Sequence, residues 1–259
     1  MYKTCPKCGY KRQASDDCSE DKCPSCGLFF RKWLKSQVGE VMHPDLDSPA
    51  RSKSYFVGAL VNFFIRPRIN IKKSELIRDV VIWLIFIAWG LSFVMMDFRS
   101  NEIGQSWFHN VNLVFHEAGH VIFTLLGRTM AILGGSLFQV LVPLALMFAC
   151  LVVNKDSFGA SIGLWWVGQS LMDIAPYIAD ARALRLPLLG GSTGADRPGT
   201  HDWANLLRPR GWLEYDIQIA AAVDFIGSGI LLLALLWGGY MLYLSKKGTD
   251  LFSSNEIEK

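Results

Sequence analysis

The chain has 259 residues, 51% of them hydrophobic and 19% charged, with a net charge of +3 and a mean hydropathy of +0.25. So small a charge, with no basic stripe interleaved with aromatics, argues against a nucleic-acid partner. Charged residues crowd into 1–79 and 182–214 and leave long apolar runs between them. That distribution points to an all-α polytopic membrane protein, in which each span needs about 20 apolar residues.

The first 30 residues are polar and rich in cysteine. Cys5-Pro-Lys-Cys8-Gly9 and Cys23-Pro-Ser-Cys26-Gly27 form two matching elements with 14 residues between Cys8 and Cys23. Two thiolates three residues apart can hold one metal from a tight turn, and the following glycine permits the backbone conformation this needs. Two such turns complete a four-sulfur tetrahedral site, and the segment resembles a zinc ribbon. A closed four-thiolate site has no open position for chemistry, so its expected role is to fold a small domain that can recruit a protein partner. Cys18 is read as a bystander. No secretory signal opens the sequence, so the ribbon is expected in a reducing cytoplasm.

Residues 31–79 read as a basic linker containing Pro44, Pro49 and Pro67, with an apolar stretch at 55–65 too short to span and expected to lie in the interface. About five transmembrane helices are then expected, at 80–96, 107–126, 130–153, 162–183 and 217–244, within a membrane domain covering 80–244. A polar tail covers 245–259. Lys72, Lys73 and Arg78 precede the first span, Arg128 follows the second, and Arg182, Arg185, Arg197, Arg208 and Arg210 follow the fourth. The positive-inside rule places these segments and the N-terminus in the cytoplasm, and a bacterial inner membrane suits the small single-chain architecture. Lys246 and Lys247 run against the odd span count.

The second span carries His116-Glu117-Ala118-Gly119-His120. On a helix, positions i and i+4 face the same way, so both imidazoles can reach one metal, with Glu117 beside them as general base. Ionisable groups inside an apolar span are costly unless they are paired or bind a metal, which two histidines and a glutamate at ligand spacing can do. A catalytic zinc needs a third protein ligand and an open position for water. Four residues qualify. Asp173 and Asp180 lie seven residues apart on the fourth span, and His201 and Asp202 lie in the loop after it. Depth in the bilayer favours Asp173, whereas a re-entering loop would bring His201. Asp202 is also a candidate for contacting substrate.

A HExxH motif within one span, small residues just after it and an acid in a later span together resemble the site-2 protease family of intramembrane zinc metalloproteases, over roughly residues 105–185. The resemblance implies hydrolysis of peptide bonds in membrane-associated or transmembrane substrates. It also implies that the stretch from Asp173 to Asp180 is the counterpart of the family's Asn-Pro-Asp-Gly motif, which makes Asp180 the third ligand. Here Asp173 stands where the family has Asn, Ala181 where it has Gly, and the spacing is one residue short. Gly134, Gly135 and Ser136 would then belong to a loop or hairpin that binds an extended substrate by strand addition. Two zinc ions are expected, one catalytic and one structural. Membrane-tethered ATP-dependent metalloproteases share the motif but require a phosphate-binding GxxxxGK[ST] loop, which this sequence lacks. A non-proteolytic membrane zinc protein, or a membrane zinc hydrolase of lipids, would carry the same residues.

Overall fold

The computed structural model describes residues 4–13, 15–16, 18–19, 21–33, 58, 60–68 and 71–253. They are mostly helical and contain no β-strand, only isolated bridges at Thr4–Lys11, Lys22–Phe29 and Pro187–Thr193. Two compact units result, residues 81–238 and residues 1–80 with 239–259.

Within the second of these, the two cysteine elements fold as near-identical knuckles. Cys5 N–H donates to Tyr10 O and Cys23 N–H to Leu28 O, both at 2.8 Å, and Gly9 and Gly27 adopt φ of 72° and 71°. This left-handed backbone is the reason for a glycine after each second cysteine. Cys5, Cys23 and Phe30 form the small core, flanked by Tyr10 and Leu28. Of the expected interfacial stretch, residues 60–64 are helical, while 55–57 and 59 lie outside the described residues, as do 34–54.

Six helices carry the rest: α1 (Lys73–Val94), α2 (Trp107–Phe123), α3 (Arg128–Ala149, continued by a π turn at Cys150–Asn154), α4 (Ser157–Ala179), α5 (Asp202–Leu207) and α6 (Asp216–Ser253). Among the described residues, three stretches are long and apolar enough to cross a membrane, namely Lys73–Val94, Arg128–Asn154 and Leu213–Gly248. The expected spans at 107–126 and 162–183 correspond to α2 and α4. The first has 17 residues, ~26 Å at 1.5 Å per residue against a hydrocarbon core of ~30 Å. The second carries Gln169, Ser170 and Asp173 in its central turns. The last helix runs through Lys246 and Lys247 to Ser253, so most of the expected polar tail is helical; residues 254–259 lie outside the described residues.

Local sequence sets the helix starts. Ser106 caps α2 by accepting from His109 N–H, and Asp156 caps α4 by accepting from Phe158 N–H. Each satisfies a donor that the first turn would otherwise leave bare. Polarity is then inverted relative to a soluble bundle. α2 turns Val114 and Val121 outward, 66% and 75% exposed, and buries Asn112 and His116. An apolar exterior around a polar seam is the arrangement that hydrocarbon surroundings favour.

α4 is the central helix, buried along nearly its whole length. Trp165 at its middle is fully buried in an aromatic cluster with Phe86, Trp89, Phe93 and Phe108, at ring separations of 4.8 to 6.1 Å. Glycines set the closest helix approaches. A Cβ at Gly168 would lie 2.6 Å from Gly227 O and 2.7 Å from Leu231 N, so α4 and α6 touch backbone to backbone there. Gly119 of α2 and Gly134 of α3 meet in the same way, a Cβ at Gly119 falling 2.1 Å from Gly134 O. Small residues at such contacts are what van der Waals association in a bilayer requires.

Gly134, Gly135 and Ser136 therefore correct the expectation of a substrate-binding loop. They lie inside α3 and are buried. Helical backbone spends its N–H and C=O groups on its own ladder and has none to offer a strand. The actual link between α2 and α3 turns at Gly127, with φ 90°.

Because the obstacle at Gly168 is backbone, no rotamer change relieves it. Gly168→Val is expected to cost about 1–3 kcal/mol, read as a lowered thermal unfolding midpoint of the detergent-solubilised chain. An unchanged midpoint would contradict the close approach of α4 and α6.

Candidate metal centres

The four knuckle cysteines come together as one group, their sulfurs within 4.8 Å of one another. Cys5 Sγ lies 3.6 Å from Cys26 Sγ, and Cys8 Sγ 3.7 Å from Cys23 Sγ. A tetrahedral zinc with ~2.3 Å bonds sets its sulfurs ~3.8 Å apart, so the donor set fits that ion. Sharing of hydrogen bonds among the thiols splits them, with Cys23 brought down to about 7 and Cys26 pushed up to about 12. One thiolate is thus favoured in the group, and the thiolate is the form that ligates metal.

The second group is His116, His120 and Asp202, whose ligand atoms also lie within 4.8 Å of one another. α2 presents the two imidazoles one turn apart, with ring centroids 4.8 Å from each other. His116 Nδ1 is 3.2 Å from Gln139 Oε1, and His120 Nδ1 is 2.8 Å from Ala131 O. Both acceptors are oxygens, so each Nδ1 carries the proton and each Nε2 is left with a lone pair. The two Nε2 atoms stand 3.3 and 3.2 Å from Asp202 Oδ2. Bonds of ~2.05 Å at a tetrahedral zinc place its ligand atoms ~3.3 Å apart, so these residues can hold such an ion with one position left over.

Asp202 reaches α2 because α5 begins there. His201 caps that helix, its Nδ1 accepting from Ala204 N–H at 3.2 Å, and Trp203 Nε1 donates to Ser136 Oγ of α3 at 3.2 Å. Tyr177 of α4 locks the carboxylate from the other side. Its hydroxyl accepts from Asp202 N–H at 3.0 Å and lies 3.3 Å from Asp202 Oδ2, while its ring stacks on His201 with centroids 4.2 Å apart.

Each remaining candidate has another partner. Asp180, expected as the third ligand, accepts from the N–H groups of Arg185 and Leu186, both at 2.9 Å, and faces His201 Nε2 at 3.4 Å. It ties down the chain that leaves α4. Asp173 accepts from Asn112 and Gln139 and pairs with His109. His201 is 2% exposed and is placed behind Asp202, with its Nδ1 used as the helix cap. The spacing that suggested Asp180 describes α4 alone, whereas Asp202 is brought in by a contact 86 residues from His116.

Gly135 accounts for the closeness of α3 to this group. A Cβ there would fall 2.6 Å from both Nε2 atoms. Gln139 and Tyr177 went unnoticed in the sequence. Gln139 had a usable signal, being the sole amide side chain in the apolar run 130–149.

A cavity of about 690 Å³ opens on the site, lined by His109, His116, Glu117, His120, Asp173, Tyr177 and Asp202 and walled on one side by 186–190. Glu117 shares it with the three ligand candidates. The arrangement has the donors for a metal, a carboxylate beside them and room for a peptide-sized ligand.

Metal content separates the two aspartates. Asp202→Ala is expected to lower bound zinc by about one equivalent per purified chain, the loss of one three-ligand site, while Asp180→Asn keeps it. The reverse pattern would move the third ligand to Asp180. No known family model, curated protein or solved structure matches the chain.

Proposed function

We propose that the chain is an intramembrane zinc metalloprotease that hydrolyses peptide bonds of membrane-associated or transmembrane substrates. The observation that carries this reading is the meeting of His116 Nε2, His120 Nε2 and Asp202 Oδ2 at tetrahedral spacing, on a cavity that Glu117 also lines. A structural metal site does not need a carboxylate without a partner of its own beside the ligands, and hydrolysis of an amide does.

A zinc ion held there would supply Lewis acidity, polarising a carbonyl and lowering the pKa of water towards ~7. The chain's own groups do the rest. Glu117 accepts the proton from the attacking water and returns it to the leaving nitrogen as the C–N bond breaks, so protons balance over the cycle. Tyr177 and the α5 cap keep Asp202 on its bearing. The apolar wall of Leu186, Pro187 and Leu188 takes apolar side chains of an unwound substrate segment. A substrate helix must unwind locally, because its carbonyls are hidden in the i to i−4 ladder.

In this reading five helices, α1 to α4 and α6, cross the membrane. Basic residues support a ribbon and a 184–216 loop on the cytoplasmic side, and on this reading the protein sits in a bacterial inner membrane. The four-thiolate ribbon holds a second, structural zinc and offers a surface for a protein partner.

The decisive variant is Glu117→Gln. With a quenched library of apolar peptides in detergent micelles, cleavage is expected to fall by about 10²–10⁴-fold with zinc content unchanged. Equal cleavage by the variant and the wild type would remove Glu117 from the chemistry. Zinc release only from the cysteine site would remove the catalytic metal.

A further inference from the structure

Asp173 is a carboxylate with 1% side-chain exposure in the middle of the protein, and neither metal group uses it. Three donors converge on it from two helices. Gln139 Nε2 lies at 2.9 Å, Asn112 Nδ2 at 3.1 Å and His109 Nδ1 at 3.0 Å. Asn112 is itself fixed, accepting from Trp166 Nε1 and donating to Gln169 Oε1 of α4.

Gln139 spans the gap between this carboxylate and the metal group. An amide side chain has one donating end and one accepting end. Gln139 donates to Asp173 and, at 3.5 Å, to the Ser170 carbonyl, so its NH₂ faces α4 and its Oε1 faces His116. An oxygen at 3.2 Å from His116 Nδ1 then requires the proton on Nδ1 and leaves Nε2 free to ligate. The orientation of a glutamine and the tautomer of a histidine are ordinarily ambiguous. Here the two acceptors facing Gln139 Nε2, Asp173 at 2.9 Å and the Ser170 carbonyl at 3.5 Å, decide both.

The geometry points to Asp173 and Gln139 as positioning residues that set the ligating tautomer of His116, and through it the metal affinity of the membrane site. This rests on the metal reading proposed above. It differs from a role as helix glue, in which any set of satisfied hydrogen bonds would serve. Asparagine at 173 could still bond to Gln139, yet it can present its own NH₂. Gln139 can then give up its long bond to the Ser170 carbonyl, turn its NH₂ towards His116 Nδ1 and stabilise the tautomer with the proton on Nε2, which cannot bind metal. Moving the carboxylate one place along the relay reverses this, because a glutamate at 139 accepts directly from His116 Nδ1–H and also from an amide at 173.

The experiment titrates Zn²⁺ into the purified full chain in detergent against a chromophoric chelator. The membrane site is the phase lost in His116→Ala, and the cysteine phase serves as an internal control of folding. Asp173→Asn is expected to weaken the membrane phase by about 10–100-fold, the usual cost of a lost partner behind a metal ligand. The double variant Asp173→Asn with Gln139→Glu is expected to recover it to within a few-fold. Unchanged affinity in Asp173→Asn overturns the proposal. So does weakening that the double variant fails to recover, since that is what packing glue would give. A wild-type chain with no phase sensitive to His116→Ala would instead overturn the membrane metal site itself, and the proposal with it.

Discussion

Ionisable side chains in apolar surroundings must be neutralised, hydrogen-bonded or bound to a metal, and most of this fold follows from that constraint. Stranding one charge costs several kcal/mol. The unit formed by residues 81–238 places His109, Asn112, His116, Glu117, Gln139, Gln169, Asp173, Asp180, His201 and Asp202 between helices whose outer faces are apolar. These residues make up one polar seam along α2, α3, α4 and the start of α5. Asp173 gathers its donors from two of those helices, and Asp180 draws on the loop it anchors. Polar groups that would prevent insertion if scattered instead specify which helix faces meet.

Close approach makes the seam possible. Imidazoles are short ligands, and a third ligand from a different element can reach the same ion only if the helices nearly touch. Gly119 against Gly134 brings α2 and α3 together at the backbone, and Gly135 leaves room for the two Nε2 atoms. A methyl group at Gly135 would occupy the space of the ligand atoms themselves. The glycines and the histidines are thus one device, in which the first set the separation that the second require.

The sequence made some of this readable and hid the rest, for physical reasons. Both cysteine knuckles are local, since every determinant of each lies within about five residues. Spacing alone placed Cys5, Cys8, Cys23 and Cys26 around one point. The HExxH pair is equally local, because i and i+4 on a helix share a face whatever surrounds it. The third position was different. Asp180 matched the resembled family's motif along α4, but the residue delivered to the imidazoles depends on how the chain returns after α4. That return is settled by Asp180 receiving two backbone N–H groups, by the His201 cap and by Trp203 bonding to Ser136. None of these contacts has a period that one sequence exposes. The glycines misled in the other direction: a Gly-Gly-Ser run reads as a turn, and here it is a helix surface cut back for packing.

The division of labour between Asp180 and Asp202 has a physical logic. A ligand on a long, buried helix is fixed rigidly in depth, but α4 is already committed along its length to the core around Trp165. A short helix capped by a histidine can be aimed independently of that packing. Asp202 sits in the first turn of α5, where the helix dipole also favours a carboxylate. Asp180, one turn past Tyr177, serves by holding the chain so that α5 starts where it does. The acidic residue at the end of the span and the one in the loop then belong to a single mechanism of placement. One carboxylate builds the loop, and the other uses it to reach the two imidazoles.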